Sequence, residues 1–192
     1  MLGLIAPLLM AIVAALAIGG SLDHWARLRL RWWPLALLAL AVQVAVYTPP
    51  LNAWPAIVAI GPVSGILSTG VVLAVVVRNG VGPLRWACGL AATGIALNLA
   101  VIVANGGWMP RADALAPRPV DRGALGGAVT NTAPMAPETR LAWLGDSIPE
   151  PAWLPMANLV SPGDVLLSLG AAWWAFAVTR GQARRASGAW GV

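Results

Sequence analysis

The chain has few of the residues from which reactive sites are usually built. Its 192 residues include one cysteine, Cys88, one histidine, His24, and no lysine. A single cysteine excludes an internal disulfide, and a single histidine excludes a histidine-rich metal cluster. Without lysine there is neither a phosphate-binding loop of the GxxxxGK type nor a Schiff-base residue. We therefore expect no metal, no cofactor and no catalytic residues.

Charged residues are scarce as well. They make up 10% of the chain, whereas hydrophobic residues make up 59%, and a soluble domain normally carries about 25% charged residues. The net charge of +5 comes from arginine, and most arginines adjoin apolar stretches, as membrane-orienting charges do. The composition therefore predicts an integral membrane protein, with the lipid bilayer as its surroundings and no nucleic acid as a partner.

Five apolar stretches alternate with loops, and each approaches the length of about 20 residues that a transmembrane helix needs. We predict an all-α membrane protein in which residues 1–192 form one integral membrane domain with five transmembrane helices. The predicted spans are residues 2–20, 32–47, 55–77, 86–105 and 164–179. The second and fifth are short, and Arg29 and Arg31 are placed to extend the second by snorkelling. Inside the third span, Pro62 beside Gly61 predicts a kink or a local break.

Most arginines fall on every second loop, which predicts the orientation, whereas the arginines of the segment between spans four and five are mixed with carboxylates. The former follow the first, third and fifth spans, at Arg27, Arg29 and Arg31, then Arg78 and Arg85, then Arg180, Arg184 and Arg185. By the positive-inside rule these loops face the cytoplasm, so the N-terminus lies outside and the C-terminus inside. We expect a multi-pass protein of the bacterial inner membrane. The competing interpretation of residues 1–20 is a cleaved signal peptide, although no basic region precedes the apolar run.

Tryptophan is abundant, with eleven residues against one phenylalanine and one tyrosine. Most positions fit two interfacial belts, in which an indole buries its ring and keeps its N–H in water. The predicted inner belt contains Trp25, Trp32, Trp33, Trp86 and Trp190, and the predicted outer belt contains Trp54, Trp108, Trp143 and Trp153. Trp173 and Trp174 fall within the fifth span. The alternative to lipid or helix packing is a surface on which a pigment, quinone or lipid head group stacks.

Two polar side chains, Gln43 and Asn98, lie inside predicted spans. Both belong to the outer half of their helices, so a mutual hydrogen bond between spans two and four is expected, with a ligand or ion path as the alternative. Small residues mark where helices are able to approach closely. They are Gly61 with Gly65 in the third span and Gly89 with Thr93 in the fourth.

The segment between spans four and five, residues 106–163, is predicted to face outward. Residues 112–134 are rich in Ala, Gly and Pro and indicate a flexible connector, whereas residues 136–162 indicate ordered structure. Within that part, residues 137–144 suit a short interfacial helix that stops at Gly145. Pro149, Pro151 and Pro155 then favour an extended path back to the membrane.

Two carboxylates of this outer segment, Asp146 and Asp164, each follow a glycine and are expected at the outer interface. If they converge, they are able to share a proton as an acid and base pair or to bind a cation. The simpler interpretation is that Asp164 caps the fifth helix while Asp146 pairs with Arg140 or Arg111. A serine triad is excluded, because His24 lies on the cytoplasmic side of the predicted topology, away from Ser147 and Ser161.

Three stretches carry a family resemblance. Asn105 to Pro110, which reads Asn-Gly-Gly-Trp-Met-Pro, then residues 137–149 and residues 158–167 resemble the ordered motifs of an uncharacterised bacterial membrane family, domain of unknown function 5317. Pro162 departs from the family pattern, in which an aliphatic residue is expected. The resemblance implies a multi-pass membrane protein and transfers neither an activity nor catalytic residues.

Two functions remain open from the sequence. The first is a non-catalytic subunit or scaffold that docks other membrane proteins through its outer segment. The alternative is a small-molecule, ion or lipid binding or transport protein, with an outward-facing site near Asp146 and Asp164. The candidate ligand or partner residues are Asn105, Met109, Arg140, Trp143, Asp146, Asn158 and Asp164, with Gln43 and Asn98 inside the membrane.

Overall fold

The computed structural model describes residues 2–118, 127–155 and 157–182, and its described part is mostly helical. Apolar runs between Pro, Gly and polar residues form its helices. The helices are α1 (Leu2–Ala17), α2 (Asp23–Ala26), α3 (Trp33–Tyr47), α4 (Pro55–Asn79), α5 (Arg85–Ala104) and α6 (Pro162–Thr179). Each of the five predicted spans is a helix, with ends close to the predicted ones. The predicted positions Arg184, Arg185 and Trp190 lie outside the described residues.

Two helical stretches in the described part of the chain are long and apolar enough to cross a membrane. They are Pro55–Asn79, with a mean hydropathy of 2.1, and Gly82–Ala104, also 2.1. The apolar stretches Ile5–Ala17 and Trp33–Tyr47 are helical but shorter. These two long helices support a membrane location by length and composition.

The local break predicted at Pro62 is wrong, because α4 runs continuously through it. A proline inside a helix removes one hydrogen bond and costs about 3 kcal/mol or more. Side chains bind the same turn: the Ser64 hydroxyl donates to the Gly61 carbonyl over 2.7 Å, and the Tyr47 hydroxyl donates to it over 2.8 Å. Gly107 lies directly against Pro62, at a position where a Cβ atom would collide with the proline ring. Polar contacts and close packing therefore hold the proline within a helix.

The long helices pack in the order α1, α6, α5, α4, α3, each against the next. The closest approach is between α5 and α6, where Gly94 faces the backbone of Gly163 and Leu167, and Gly170 faces the backbone of Ala91. The predicted pair Gly89 and Thr93 plays no part in this contact, because Gly89 faces open space and Thr93 is exposed. Small residues on α5 thus determine this contact, but at Gly94 rather than at Gly89.

The other predicted small pair, Gly61 and Gly65, accommodates side chains rather than a helix backbone. Gly61 lies against the side chain of Val129, and Gly65 lies against the Tyr47 hydroxyl. Val129 is 2% exposed, and its backbone N–H donates to the Asn52 carbonyl over 2.8 Å. A segment from outside the helices is therefore fitted into the surface of α4.

The arginine-bearing loops meet at one end of the helices. The Trp25 indole N–H donates to the Thr179 hydroxyl over 3.0 Å and stacks edge-on against Trp174 at 5.4 Å. At the same end, the Asn79 side chain accepts from the Arg31 N–H and donates to the Arg31 carbonyl, both at 2.8 Å. These contacts join the loop after α1 to α6 and the start of α3 to the end of α4.

The connection between α5 and α6, residues 105–161 and called the long connection below, adds short strands that an all-α prediction did not include. β1 (Met109–Arg111) pairs in parallel with β2 (Thr132–Pro134), and β3 (Ile148–Pro149) pairs antiparallel with β4 (Leu159–Val160). β2 and the buried Val129 lie within the segment 112–134, whose predicted flexibility stays a prediction. The part of that prediction covering residues 119–126 lies outside the described residues.

The interfacial helix predicted for residues 137–144 is also wrong. Only a single 3-10 turn forms, at Ala142–Leu144, and it is preceded by Leu141 with a φ of 52°. A residue in this left-handed region does not continue a right-handed helix. The predicted extended path is found at Ile148–Pro149. Pro151 instead begins a turn, in which the Pro151 carbonyl accepts from the Leu154 N–H.

Candidate functional site

A cavity of about 290 Å³ lies where α3, α4 and α5 meet the start of α6 and the long connection. Four of the predicted polar residues line it: Gln43, Asn98, Asp146 and Asp164. The structure therefore brings together the two helix amides and the two candidate carboxylates, although these residues are spread along the chain from α3 to α6. Apolar side chains, including Val72, Ile95 and Leu167, form other parts of the wall.

Asp164 is held in place by the start of α6. Its backbone N–H donates to the Ser161 hydroxyl over 2.9 Å, and its carboxylate accepts from the Ser161 N–H over 3.0 Å, which is a complete capping box. The second carboxylate oxygen accepts from the Asn98 side-chain amide over 2.7 Å. The predicted capping role of Asp164 is confirmed. Ser161 was missed, although the Ser-x-x-Asp spacing before an apolar run indicates such a cap.

Asp146 also lines the cavity and is only 8% exposed. Its backbone is bridged to β1, because its N–H donates to the Pro110 carbonyl over 2.8 Å and its carbonyl accepts from the Ala112 N–H over 2.9 Å. Within the described residues no hydrogen bond to its carboxyl group is formed. The fold therefore holds the backbone rigidly and leaves the carboxyl group facing the cavity.

Burial, followed by the negative charge of Asp164, raises the pKa of Asp146 from 3.8 to about 7. The positive charge of Arg111 acts against both effects. A carboxyl group with this pKa is protonated in about half of the molecules near neutral pH. Asp146 and Asp164 thus differ in kind, since Asp164 is bound by donors and Asp146 exchanges its proton near neutral pH.

The predicted partners of Asp146 are arranged differently from the expectation. Arg111 donates from Nη1 to the Asn158 side-chain oxygen over 2.6 Å, and its Nε lies 2.9 Å from the Asp113 carboxylate. Its charge therefore acts on Asp146 without a direct ion pair between described atoms. Among the described residues no contact joins Arg140 to Asp146, and the Arg140 backbone is bound by the side chain of Asn105.

Gln43 and Asn98 line one cavity but do not bond to each other, so the predicted mutual hydrogen bond is wrong. Gln43 donates from Nε2 to the Ser68 hydroxyl over 2.8 Å. Asn98 donates to Asp164 and accepts through its side-chain oxygen from the Ser161 hydroxyl over 2.9 Å. Gln43 therefore bonds to a residue of α4, and Asn98 bonds to two residues at the start of α6. The periodicity of the sequence did not indicate these partners.

The other predicted site residues have separate places. Met109 is buried and lines the cavity. Asn105 clamps the long connection to the end of α5, donating to the Arg140 and Val101 carbonyls, each over 2.8 Å. Asn158 accepts from Arg111, and its backbone N–H donates to Glu150 over 2.9 Å. Trp143 is 70% exposed and lies away from the cavity.

Three polar side chains of the lining were missed by the sequence interpretation: Tyr47, Thr69 and Asn131. Tyr47 is the only tyrosine of the chain, and its position near the end of a predicted span resembled an interfacial aromatic residue. Asn131 belongs to the part of the long connection that was expected to be flexible. Their positions follow from how the long connection folds over the helix ends, which no local pattern indicates.

The cavity offers carboxyl, amide and hydroxyl oxygen atoms as hydrogen-bonding groups for a ligand. In the described part of the chain, no three His, Cys, Asp or Glu side chains converge as metal ligands do. His24 bonds to the Thr179 carbonyl at the other end of α6, away from Ser161, which agrees with the expected absence of a triad. The arrangement is therefore able to bind and orient a small ligand, and to take up or release one proton at Asp146.

A protein-family model described as "Family of unknown function (DUF5317)" matches residues 27–176, which is more than three quarters of the chain. The match confirms the resemblance seen in the motifs. No curated protein and no solved structure matches the chain.

Proposed function

We propose that this chain, which belongs to the DUF5317 family, is an integral membrane protein that binds a small molecule in an outward-facing cavity. The family description names no activity, so the proposal rests on the geometry of the chain itself. One observation carries it: Gln43, Asn98, Asp146 and Asp164 line a single cavity of about 290 Å³. Buried polar groups inside apolar helices are costly and usually mark a ligand or ion path.

The proposed topology has five spans, with the N-terminus outside and the C-terminus inside the cell. The exposed surface of the helices supports it, because large apolar side chains such as Leu9, Leu38, Leu67 and Leu169 face outward from the bundle. In water such a surface would be unfavourable, whereas hydrocarbon solvates it. The remaining three helices then cross with shorter apolar stretches, assisted by snorkelling arginines.

The direction of the cavity follows from the same topology. The described arginines of the loops after α1 and α4 lie at one end of the helices, where Arg78 stacks on Trp32 at 5.8 Å and Arg85 on Trp86 at 5.1 Å. The long connection and the cavity lie at the other end, around the start of α6. If the arginine-bearing short loops mark the cytoplasmic side, the cavity opens to the outside of the cell.

The size of the cavity favours a small ligand. Sites for drug-sized molecules usually occupy about 300 to 1,000 Å³, so this cavity lies at the lower limit. Its wall combines fixed polar groups with apolar side chains, which is the usual composition of a specific small-molecule site. A substrate that passes through the protein would use the same cavity as its outer binding site.

The proposal is tested with the purified full-length protein in a mild detergent. A panel of small amines, carboxylates, alcohols and sugars is screened for solutes that raise the unfolding temperature, as any ligand of the folded state does. Thr69→Phe places a phenyl ring in the cavity. Leu67→Phe places a phenyl ring on the outer surface of α4, where Leu67 is 64% exposed. We expect at least one solute to stabilise the wild type and Leu67→Phe but not Thr69→Phe. If no solute does so, or if Thr69→Phe responds like the wild type, the proposal is wrong.

A second function, docking of other membrane proteins, is favoured by two tryptophans of the long connection. Trp143 is 70% exposed and Trp153 is 81% exposed, and exposed tryptophans are frequent at the centre of protein interfaces. If the protein is such a subunit, extraction from its native membrane will yield a stoichiometric partner. Trp143→Ala will then release that partner. Trp86→Ala, at the end of the helices where the arginine-bearing loops meet, will not.

A further inference from the structure

The donors and acceptors around the cavity indicate what kind of ligand it binds, if the proposed function is right. Hydrogen-bond donors of the wall are largely used inside the protein. Gln43 donates to Ser68, Asn98 donates to Asp164, and the Tyr47 hydroxyl donates to the Gly61 carbonyl. What these side chains present to the cavity therefore includes oxygen lone pairs, beside the second N–H of each amide group.

The two carboxyl groups add negative charge to this acceptor surface. The Asp164 carboxylate accepts from the Ser161 N–H and the Asn98 amide, and its negative charge acts on Asp146. Asp146 is more than nine-tenths buried and lines the cavity, and within the described residues its carboxyl group accepts no hydrogen bond. A buried carboxyl group without a donor is costly, and a ligand that brings donors and positive charge removes that cost.

The apolar part of the wall distinguishes an organic cation from a metal ion. Val72, Ile95 and Leu167 line the same cavity, and such side chains provide no ligands for a hydrated ion. The described acidic residues also lack the three-residue grouping of a metal site.

We propose that the ligand is a small organic ammonium ion, whose charged end lies between Asp146 and Asp164 and whose short hydrocarbon part lies against Val72, Ile95 and Leu167. The ammonium group donates three hydrogen bonds to the oxygens of the wall. Binding takes place with Asp146 ionised, so a proton bound to its carboxyl group is released to water when the cation enters. The proposal rests on the proposed function and adds the class of ligand and its coupling to pH.

The charged groups around Asp146 agree with this coupling. Asp164 on α6 faces it with negative charge, and Arg111 on β1 faces it with positive charge. Asp113 neutralises part of the Arg111 charge through their contact of 2.9 Å. The free site therefore tends to hold one proton, and an incoming cation replaces the charge that this proton supplied.

The test compares three four-carbon probes that differ in charge: n-butylammonium, n-butanol and butyrate. Their binding to the purified full-length protein is measured by titration calorimetry, on the wild type, Asp146→Asn and the control Glu138→Gln, an exposed carboxylate of the long connection. We expect n-butylammonium to bind more tightly than the other two. Asp146→Asn weakens its binding about tenfold or more, because one member of a buried charge pair is lost, and Glu138→Gln leaves it unchanged.

The pH dependence provides a second readout. With the pKa of Asp146 at about 7, n-butylammonium binds the wild type about tenfold more tightly at pH 8 than at pH 6, because the competent fraction rises by that factor. Asp146→Asn has no such dependence. Equal affinity at both pH values in the wild type would overturn the coupling.

Failure of this inference differs from failure of the proposed function. If n-butanol or butyrate binds as tightly as n-butylammonium, and Thr69→Phe abolishes that binding, the cavity is a small-molecule site and the ammonium proposal is wrong. If n-butylammonium binds equally to the wild type and Thr69→Phe, the cation is bound elsewhere and the ammonium proposal is also wrong. If none of the three probes binds and the wider panel stabilises nothing, both proposals are wrong.

Discussion

The Asn98 side chain donates a hydrogen bond of 2.7 Å to the carboxylate of Asp164, and this contact joins the last turns of α5 to the first turn of α6. The Ser161 hydroxyl closes the group by donating to Asn98 over 2.9 Å. Three side chains thereby position one carboxylate at the edge of the cavity. The contact serves the helix cap and the candidate site at the same time.

We predict that Asn98→Ala destabilises the protein by about 1 to 3 kcal/mol, since it removes a hydrogen bond to a charged group and leaves Ser161 without its acceptor. The matched control is Thr93→Ala on the same helix, where an exposed hydroxyl bonds only to the carbonyl of Gly89. Thermal unfolding in one detergent measures both. Equal unfolding temperatures for the two variants would contradict the role given to Asn98.

Alanine substitutions at three glycines will separate the real helix contact from the predicted one. Gly94→Ala and Gly170→Ala place a methyl group against the backbone of the facing helix, where neither helix is able to yield without moving. We expect each to cost about 2 kcal/mol or more. Gly89→Ala meets open space and is expected to be neutral or to stabilise α5 by up to about 1 kcal/mol. If Gly89→Ala lowers the unfolding temperature as much as the other two variants do, α5 and α6 do not pack through Gly94 and Gly170 as described.

The stability of the free protein is expected to fall as the pH rises from about 4 to about 7. The pKa of Asp146 is raised from 3.8 to about 7 by burial and by Asp164, so the folded state holds a proton that the unfolded state has released in this window. The contribution of Asp146 to the free energy of unfolding is fully present at pH values below its pKa in the unfolded chain. It is lost as the pH rises through its pKa in the folded protein. Asp146→Asn removes this contribution to the pH dependence and is expected to be more stable than the wild type at pH 8 by at least about 1 kcal/mol.

Unfolding temperatures of the wild type and Asp146→Asn across this pH range measure the difference between their slopes. Glu138→Gln, which removes an exposed carboxylate, serves as the control and is expected to follow the wild type. If Asp146→Asn also follows the wild type, the Asp146 carboxyl group has an ordinary pKa and the pH coupling of the ligand is lost with it.

The proposed orientation predicts which cysteines react in intact cells. In a Cys88→Ala background, Glu138→Cys on the long connection is expected to react with a membrane-impermeant thiol reagent added outside. Arg29→Cys at the arginine end is expected to react only after the membrane is permeabilised. Both positions are exposed in the structure, so a difference reports the side of the membrane. The opposite pattern would reverse the proposed topology, and reaction of both in intact cells would contradict five spans.

Much of the helical framework was predictable because it depends on local composition. Apolar runs bounded by Pro, Gly and Arg predicted five helices, and α3, α4, α5 and α6 begin and end within two residues of the predicted spans. The capping role of Asp164 was also predictable, since it depends on residues three positions apart. By contrast, the interfacial helix predicted at 137–144 did not form. Leu141 has a left-handed backbone conformation there, and this conformation arises in the folded long connection rather than from local helix signals.

By itself, the sequence determined the apolar helices, the chemistry available to them and the membership of an uncharacterised family. Those features depend on composition and on short spacings, which read directly along the chain. Only the tertiary structure decided that Gln43, Asn98, Asp146 and Asp164 share a cavity and that Val129 fits against Gly61. These contacts depend on how the helices pack and on how the long connection folds over the helix ends. They join residues far apart in the chain, and no local pattern encodes them.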